Sequence, residues 1–359
     1  MRKEHILVIR FSTLGDVAMA VPVVHSLAMS YPDVRITMLS RGYARPLFED
    51  LAPNVSFMEA NLKRDYNSIR GLNTLYRRLT AKNFTAIADL HDAVRSEYLR
   101  MRFNLDRYKV AHIDKHRKGR RMLVAHKNKT LIHLPSAFEN YTVVFEQLGY
   151  PIKEMNFRSI FPPEGGNLNL LPAIIGPKNS FEKWVGIAPF AAHEGKNYPR
   201  RKMYDVMKMI EKKYPDARIF LFGRGEHERD TFPKWAAADS RCVDVEACLE
   251  IMQQELILMS HLDVMVSMDS TNMHLASLVG IPVVSVWGST HPYAGSLGWN
   301  QDERNIVQTD LPCRPCSING SRSCFRGDYA CLYDIMPEQI FERVDAILSQ
   351  TKGLEQNII

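Results

Sequence analysis

An aspartate near the start of the chain has a setting in which a carboxylate could act as a general base. Asp16 ends a turn that begins at Ser12 and contains Gly15, between the apolar run 6–9 and an apolar helical pattern. Glycine permits a tight turn, and a helix N-terminus favours negative charge. Asp16 could therefore deprotonate an acceptor hydroxyl, or it could simply cap the helix that follows.

A second turn, in the C-terminal half, has the composition of an anion-binding site. A strand-like apolar run ends in the polar segment Asp269-Ser270-Thr271-Asn272, and His274 follows in the first turn of a predicted helix. Backbone N–H groups at a helix N-terminus bind phosphates, so this turn could hold a diphosphate that His274 also reaches. An ordinary capped turn with a packed histidine is the alternative.

Two further charged residues follow apolar runs in the same half. Lys196 stands in a loop before Pro199, where a cation could neutralise charge on a leaving phosphate. Glu226 follows a glycine turn and could accept a hydrogen bond from a ribose hydroxyl or an adenine amino group. A surface lysine is the ordinary alternative for Lys196, and Glu226 alone is a weak signal.

Alternating strand-like and helix-like segments fill both halves of the 359-residue chain, with a turn-rich break between them. Such alternation predicts parallel sheets covered by helices on both faces. We predict an N-terminal Rossmann-like domain over residues 1–170 and a second over 181–335. A C-terminal helix over 336–359 could pack back on the N-terminal domain. Because doubly wound domains bind ligands at the carboxyl ends of their strands, the two domains are expected to face a central cleft.

The composition is that of a globular protein, with 45% hydrophobic and 24% charged residues. No apolar run approaches the roughly 20 residues that span a bilayer. The N-terminal apolar run is too short for a signal peptide. The sequence therefore predicts a cytoplasmic protein.

The chain has a net charge of +6, and twelve of its 46 lysines and arginines lie in a basic region between Arg95 and Lys129 that includes Arg120 and Arg121. Such a region suits a polyanionic partner such as a phosphorylated lipid, a nucleic acid or an acidic glycan. The alternative is a solvated basic face. The region lacks interleaved aromatic residues and recognisable nucleic-acid modules, so nucleic acid is not the expected partner.

Together these segments resemble the heptosyltransferases of glycosyltransferase family nine over nearly the whole chain. The resemblance includes Arg10 in the opening segment and the segment 89–96, and it continues to the glycine and serine residues of 280–290. It implies an α/β protein with the GT-B fold, in which two Rossmann-like doubly wound domains face a central cleft. It also implies an inverting transfer of a sugar, foremost heptose from ADP-heptose, onto a lipopolysaccharide inner-core or related glycolipid.

The resemblance assigns roles to individual residues. Asp16 matches the catalytic base. The donor is expected to contact Lys196, Glu226, Asp269, Ser270, Thr271, Asn272 and His274. The acceptor, an acidic glycolipid, is expected to contact Ser12, Gly15, Arg95, Arg120 and Arg121. No cofactor is expected for the chemistry, and the enzyme is expected to contact the inner membrane face peripherally.

Some positions depart from the family pattern. Thr271 replaces a usual glycine, and His91 and Asp92 replace a Gln-Gly pair. A different nucleotide sugar, or a nucleotide-sugar epimerase on the same fold, is therefore the alternative function.

Four of the six cysteines fall in one short segment with the spacing Cys-X2-Cys-X7-Cys-X6-Cys. They are Cys313, Cys316, Cys324 and Cys331. Four thiolates can bind zinc tetrahedrally, and Cys-X2-Cys is a good half-site. A structural zinc and a reduced, packed thiol cluster are both consistent with this pattern.

Overall fold

The computed structural model describes residues 4–355. The chain divides into two compact units. Unit 1 comprises Met1–Arg117 and Pro135–Ile160, and unit 2 comprises Lys118–Leu134 and Phe161–Ile359.

Each unit is built on one sheet whose strand pairs are all parallel. The strands of unit 1 are β1 (His5–Ile9), β2 (Arg35–Ser40), β3 (Val55–Glu59), β4 (Ala86–Asp89) and β5 (Lys109–His112). Those of unit 2 are β6 (Lys183–Ala188), β7 (Ala217–Leu221), β8 (Cys242–Asp244), β9 (Val264–Met268), β10 (Val283–Trp287) and β11 (Ile306–Gln308). The strand orders are β3-β2-β1-β4-β5 and β11-β10-β9-β6-β7-β8.

In each sheet the chain builds one half and then crosses to the other. The crossing lies between β1 and β4 in unit 1 and between β6 and β9 in unit 2. Leu7 pairs in register with Thr37 of β2 on one side and Ile87 of β4 on the other. Ligands of doubly wound sheets bind at the carboxyl ends of the strands beside such a crossing. The predicted α/β, Rossmann-like architecture is confirmed for each unit.

Helices connect the strands and cover the sheets. They are α1 (Leu14–Ala18), α2 (Val21–Ser30), α3 (Ile69–Thr80), α4 (Val94–Leu105), α5 (Arg117–Leu123), α6 (Ala137–Gln147), α7 (Arg200–Lys213), α8 (Glu226–Ala238), α9 (Val245–Cys248), α10 (Met252–Met259), α11 (Thr271–Leu278), α12 (Ala330–Tyr333) and α13 (Pro337–Glu355). Across residues 4–355, no helix is both long and apolar enough to cross a membrane.

The C-terminal helix α13 belongs to unit 2. Ile340, Val344 and Leu348 repeat every four residues and are fully buried in the core of that unit, where α13 packs on α7, β9 and β10. Lys213 of α7 also pairs with Asp345 at 2.7 Å. The apolar stripe of the described helix therefore completes the core of unit 2, and packing of this segment on the N-terminal domain stays a prediction. The end of the segment, 356–359, lies outside the described residues.

The predicted domain boundaries need correction. Segment 118–134 lies in unit 2 rather than the N-terminal domain. The Leu134 amide donates to the Tyr293 carbonyl at 2.9 Å, and Lys129 Nζ donates to the carbonyls of Cys313 and Pro315, both at 2.6 Å. Residues 161–180 belong to unit 2 as well. Local periodicity gives no sign of such contacts between residues that are distant in sequence.

Candidate active site

Asp16 lies beyond the carboxyl end of β1, at the edge of the unit 1 sheet where ligands are expected. Its Oδ2 accepts hydrogen bonds from the Thr13 amide at 2.9 Å and the Thr13 hydroxyl at 3.0 Å. This arrangement caps the first turn of α1. Within the described part of the chain, all hydrogen bonds to this carboxylate reach Oδ2. The Asp16 side chain is also 36% exposed, so the capping and base hypotheses are compatible.

Arg10 is a partner of Asp16 to which sequence reasoning gave no role. The Arg10 side chain is buried, and its Nη2 lies 2.7 Å from Asp16 Oδ2. Its Nη1 donates to the Leu90 carbonyl at 2.6 Å. Burial alone would raise the pKa of Asp16, but the Arg10 charge and the Thr13 hydrogen bonds outweigh it and hold that pKa below its ordinary value. An arginine directly after a buried strand is the signal that could have identified it.

A neutral histidine lies beside the opening turn. His91 Nε2 is 3.3 Å from the hydroxyl of Ser12, one of the predicted acceptor residues. Burial and the charges of Arg10 and Lys115 lower the pKa of His91 to about 4, so the imidazole is uncharged at neutral pH. Gly15 is buried in the first turn of α1.

At the carboxyl end of β4, close to His91 in sequence, two buried carboxylates pair with three cations. Arg100 bridges Asp89 Oδ2 at 3.2 Å and Asp92 Oδ1 at 3.0 Å. Arg117 and Lys115 approach Asp92 Oδ2 at 3.3 and 4.0 Å. Three cations against two carboxylates leave one net positive charge beside the crossing. The sequence analysis included these residues in the segment 89–96 and in the basic region, but it did not predict that they contact one another.

The predicted basic acceptor residues do not all lie in one unit. Arg95 is exposed in the first turn of α4, in unit 1. Arg120 and Arg121 lie in the part of α5 that belongs to unit 2. Their placement in the N-terminal domain was wrong because segment 118–134 is held by unit 2.

The predicted donor turn follows β9 at the corresponding edge of unit 2. Asp269 is buried, and its Oδ2 accepts from the Thr290 hydroxyl at 2.7 Å. Ser270 is the N-cap of α11, but its hydroxyl lies 3.2 Å from that of Ser267 rather than capping the helix. The first amides of a helix have no acceptor within the helix, so those of Thr271 and its neighbours can bind an anion.

Two more predicted donor residues also belong to α11. Asn272 is partly exposed in the first turn, as is Thr271, and His274 is buried one turn further along.

Lys196 is bound to the donor turn by an ion pair across 73 residues of sequence. Its Nζ lies 3.1 Å from Asp269 Oδ2, and the two side chains are 14% and 7% exposed. Gly320 packs against the lysine stem with a φ of +84°, and a Cβ there would lie 2.4 Å from Lys196 Cδ. The close approach and the left-handed backbone both require glycine. The predicted lysine is therefore a fixed, nearly buried cation rather than a mobile surface residue.

Glu226 begins α8, beyond the carboxyl end of β7, and its side chain is exposed. Because β9, β6 and β7 are neighbouring parallel strands, the segments that carry Asp269, Lys196 and Glu226 all leave the same edge of the sheet. The predicted donor residues thus share one edge of unit 2.

The four clustered cysteines line one small cavity in unit 2. The cavity has a volume of about 10 Å³ and is bordered by Cys313, Cys316, Cys324 and Cys331, enough for one water-sized sphere. Burial raises the pKa of Cys316, and it raises that of Cys331 to about 12. Among the described residues, no three potential ligands are placed to hold a metal ion. The four thiols therefore share one cavity, but in the described residues they are not arranged as a metal site.

Comparison with curated proteins identifies related heptosyltransferases. Lipopolysaccharide heptosyltransferase 1 of Campylobacter coli is 23% identical, over 94% of this chain and 97% of that protein. Lipooligosaccharide heptosyltransferase 2 of Campylobacter jejuni is 26% identical over 89 residues, and this match spans about a quarter of each protein (25% and 27%).

Solved structures share the fold over almost the full length. A family 9 glycosyltransferase from Veillonella parvula has a TM-score of 0.72 and 18% identity, and 98% of each chain is covered. ADP-heptose lipopolysaccharide heptosyltransferase II of Escherichia coli has a TM-score of 0.66 and 18% identity, with 97% of this chain and 99% of that one covered. The GT-B fold implied by the sequence is confirmed.

The family model described as glycosyltransferase family 9 (heptosyltransferase) matches residues 72–323, which is most of the chain. This match disfavours the epimerase alternative. The chain therefore belongs to glycosyltransferase family 9.

Proposed function

We propose that this chain is an inverting heptosyltransferase that moves heptose from ADP-heptose onto an acidic glycolipid of the lipopolysaccharide core. The observation that carries the proposal is the buried Lys196–Asp269 pair at the N-terminus of α11. The carboxyl end of the unit 2 sheet thus presents a fixed cation and free helix amides, and these groups suit the diphosphate of a nucleotide sugar. In unit 1, Asp16 supplies the carboxylate that the transfer also requires.

The transfer follows from these groups. Asp16 Oδ1 takes the proton of an acceptor hydroxyl, and the hydroxyl oxygen bonds to the anomeric carbon from the face opposite the diphosphate. The bond from that carbon to the diphosphate oxygen breaks, and the diphosphate keeps the electron pair. Lys196 and the first amides of α11 stabilise the charge that develops on the leaving group.

The identity of the donor is supported by the relatives and by Glu226. The E. coli structure is named for ADP-heptose. Glu226 begins a helix on the donor edge, where a carboxylate could accept from the adenosine ribose. The acceptor proposal is supported by the net positive cluster around Asp92 and by the exposed Arg95. We place the enzyme in the cytoplasm, peripheral to the inner membrane.

Nucleotide selectivity tests the donor proposal. We expect ADP and ADP-heptose to raise the melting temperature of the protein, because a ligand that binds only the native state stabilises it by RT ln(1 + [L]/Kd). UDP and GDP at the same concentration are the controls and should give smaller shifts. Differential scanning fluorimetry measures this. Stabilisation by UDP but not ADP would overturn the ADP-heptose proposal.

A structural zinc ion stays a proposal for the cysteine cluster: its four thiols have the chemistry of zinc ligands, but among the described residues they are not arranged to hold a metal ion. Ligation requires the side chains to turn toward the shared cavity and lose their protons. Metal analysis of protein purified without chelator should find about one zinc per chain. Cys313→Ser should lower that content, whereas Cys248→Ser, outside the cluster, should not. Metal-free wild-type protein with four titratable thiols in this segment would refute the proposal.

A further inference from the structure

The outward face of α4 carries an apolar stripe. Val94, Met101 and Leu105 are 81%, 49% and 70% exposed. Their spacing of seven and four residues places them on one side of the helix, whereas Leu99 and Phe103 on the opposite side are fully buried. Helix α4 is thus apolar on two opposite faces, and folding buries only one of them.

The stripe extends toward α3. Asn73 of α3 accepts hydrogen bonds from Tyr98 at 2.8 Å and from Arg102 at 2.5 Å, so the two helices are packed together. Ile69 lies one turn before Asn73 and is 68% exposed. We call the surface formed by Ile69, Val94, Met101 and Leu105 the α3–α4 face.

The charge around this face is strongly positive. The two helices contain six arginines and a single acid, Glu97; without Arg100, which is paired on the inward side, the net charge is +4. The arginines are Arg70, Arg77, Arg78, Arg95, Arg100 and Arg102. Arg70, Arg77 and Arg95 are exposed, whereas Arg100 turns inward to Asp89 and Asp92. Exposed aliphatic side chains flanked by arginines are typical of helices that lie in the surface of an anionic bilayer.

We propose that the α3–α4 face docks unit 1 on an anionic phospholipid bilayer, with the aliphatic side chains inserted and the arginines at headgroup level. The proposal rests on the proposed function only in that the acceptor is a glycolipid. The face offers aliphatic side chains rather than rings on which bases could stack, which disfavours nucleic acid. Its concentrated like charge opposes pairing with a second copy of itself.

Vesicle co-sedimentation of the full chain tests this surface. Wild-type protein should bind vesicles of phosphatidylglycerol and phosphatidylcholine, and bind phosphatidylcholine alone much more weakly. Neutralising Arg70 and Arg77 together (R70Q/R77Q) should reduce partitioning by about 30-fold, since each arginine near an anionic surface contributes about a 5-fold gain. The triple variant V94S/M101S/L105S should reduce it by at least about tenfold.

A matched control replaces three equally exposed apolar residues of unit 2. Leu170, Ile174 and Phe181 are 61%, 64% and 67% exposed, and L170S/I174S/F181S should bind vesicles like wild type. Equal binding by wild type and V94S/M101S/L105S would overturn the proposal. So would a wild-type dimer that this variant dissociates, or retention on a polynucleotide that only R70Q/R77Q abolishes. The shift in melting temperature with ADP is measured on wild type and on every variant. If ADP does not stabilise the wild-type protein, the donor proposal fails, whereas the vesicle-binding result for the α3–α4 face still holds.

Discussion

Replacing Asp16 with asparagine is expected to lower kcat for sugar transfer by about 10²–10⁴-fold, the usual contribution of a general base. The amide keeps an oxygen that can accept from Thr13, so the cap of α1 is largely preserved. It cannot take a proton from the acceptor. The affinity for ADP should be unchanged, because the donor residues all lie in unit 2. Steady-state kinetics with the glycolipid acceptor and calorimetry with ADP measure the two effects.

The pH dependence of transfer separates the role of the base from a structural role. Arg10 holds the pKa of Asp16 below its ordinary value, so the wild-type rate should stay level as pH falls toward about 4. In Arg10→Gln the pKa of Asp16 rises and the acidic limb of kcat/KM moves to higher pH. The same lowered pKa stabilises the fold above the unfolded-state pKa, and this contribution is lost as pH falls through the folded-state value.

A near-normal turnover in Asp16→Asn, with the acceptor saturating, would show that another group is the base.

Central strands and their carboxyl ends were predictable from the sequence, whereas three of the four strands at the sheet edges were not; the exception is β5. The apolar runs predicted β1 and β9, which are buried along their whole length. The strands that the pattern missed are β3, β8 and β11, and each is at a sheet edge. Strands at an edge are short and partly exposed, so they carry little apolar signal.

The candidate site followed the same logic. Candidate catalytic and donor residues that follow central strands could be named, because the fold class fixes where strand ends lie. The pairing of Lys196 with Asp269 could not be predicted, because it joins two loops that are 73 residues apart in sequence. The placement of Arg120 and Arg121 failed for a similar reason, because long-range contacts hold segment 118–134 in unit 2.

Replacing Lys196 with methionine is expected to weaken ADP binding by about 10–150-fold, the cost of losing a hydrogen bond to a charged group. It also leaves the Asp269 carboxylate nearly buried with only the Thr290 hydroxyl as a described side-chain partner. Removing one member of a buried ion pair is strongly destabilising, so the melting temperature should fall as well. Calorimetry with ADP and thermal unfolding measure these effects independently.

The double variant K196M/D269N separates the effect of Lys196 on ADP affinity from its effect on the stability of the fold. It removes the unpaired charge and should recover much of the melting temperature without recovering ADP affinity. The Lys178–Asp263 pair offers a matched control, with an Nζ–Oδ2 distance of 2.8 Å and exposures of 22% and 11%. Asp263 immediately precedes β9 and therefore lies at the amino end of this strand, whereas the donor turn follows its carboxyl end. Lys178→Met should lower stability and leave ADP affinity intact. If Lys196→Met also leaves the affinity for ADP intact, the lysine is a structural partner of Asp269, and the leaving diphosphate must be stabilised by other groups.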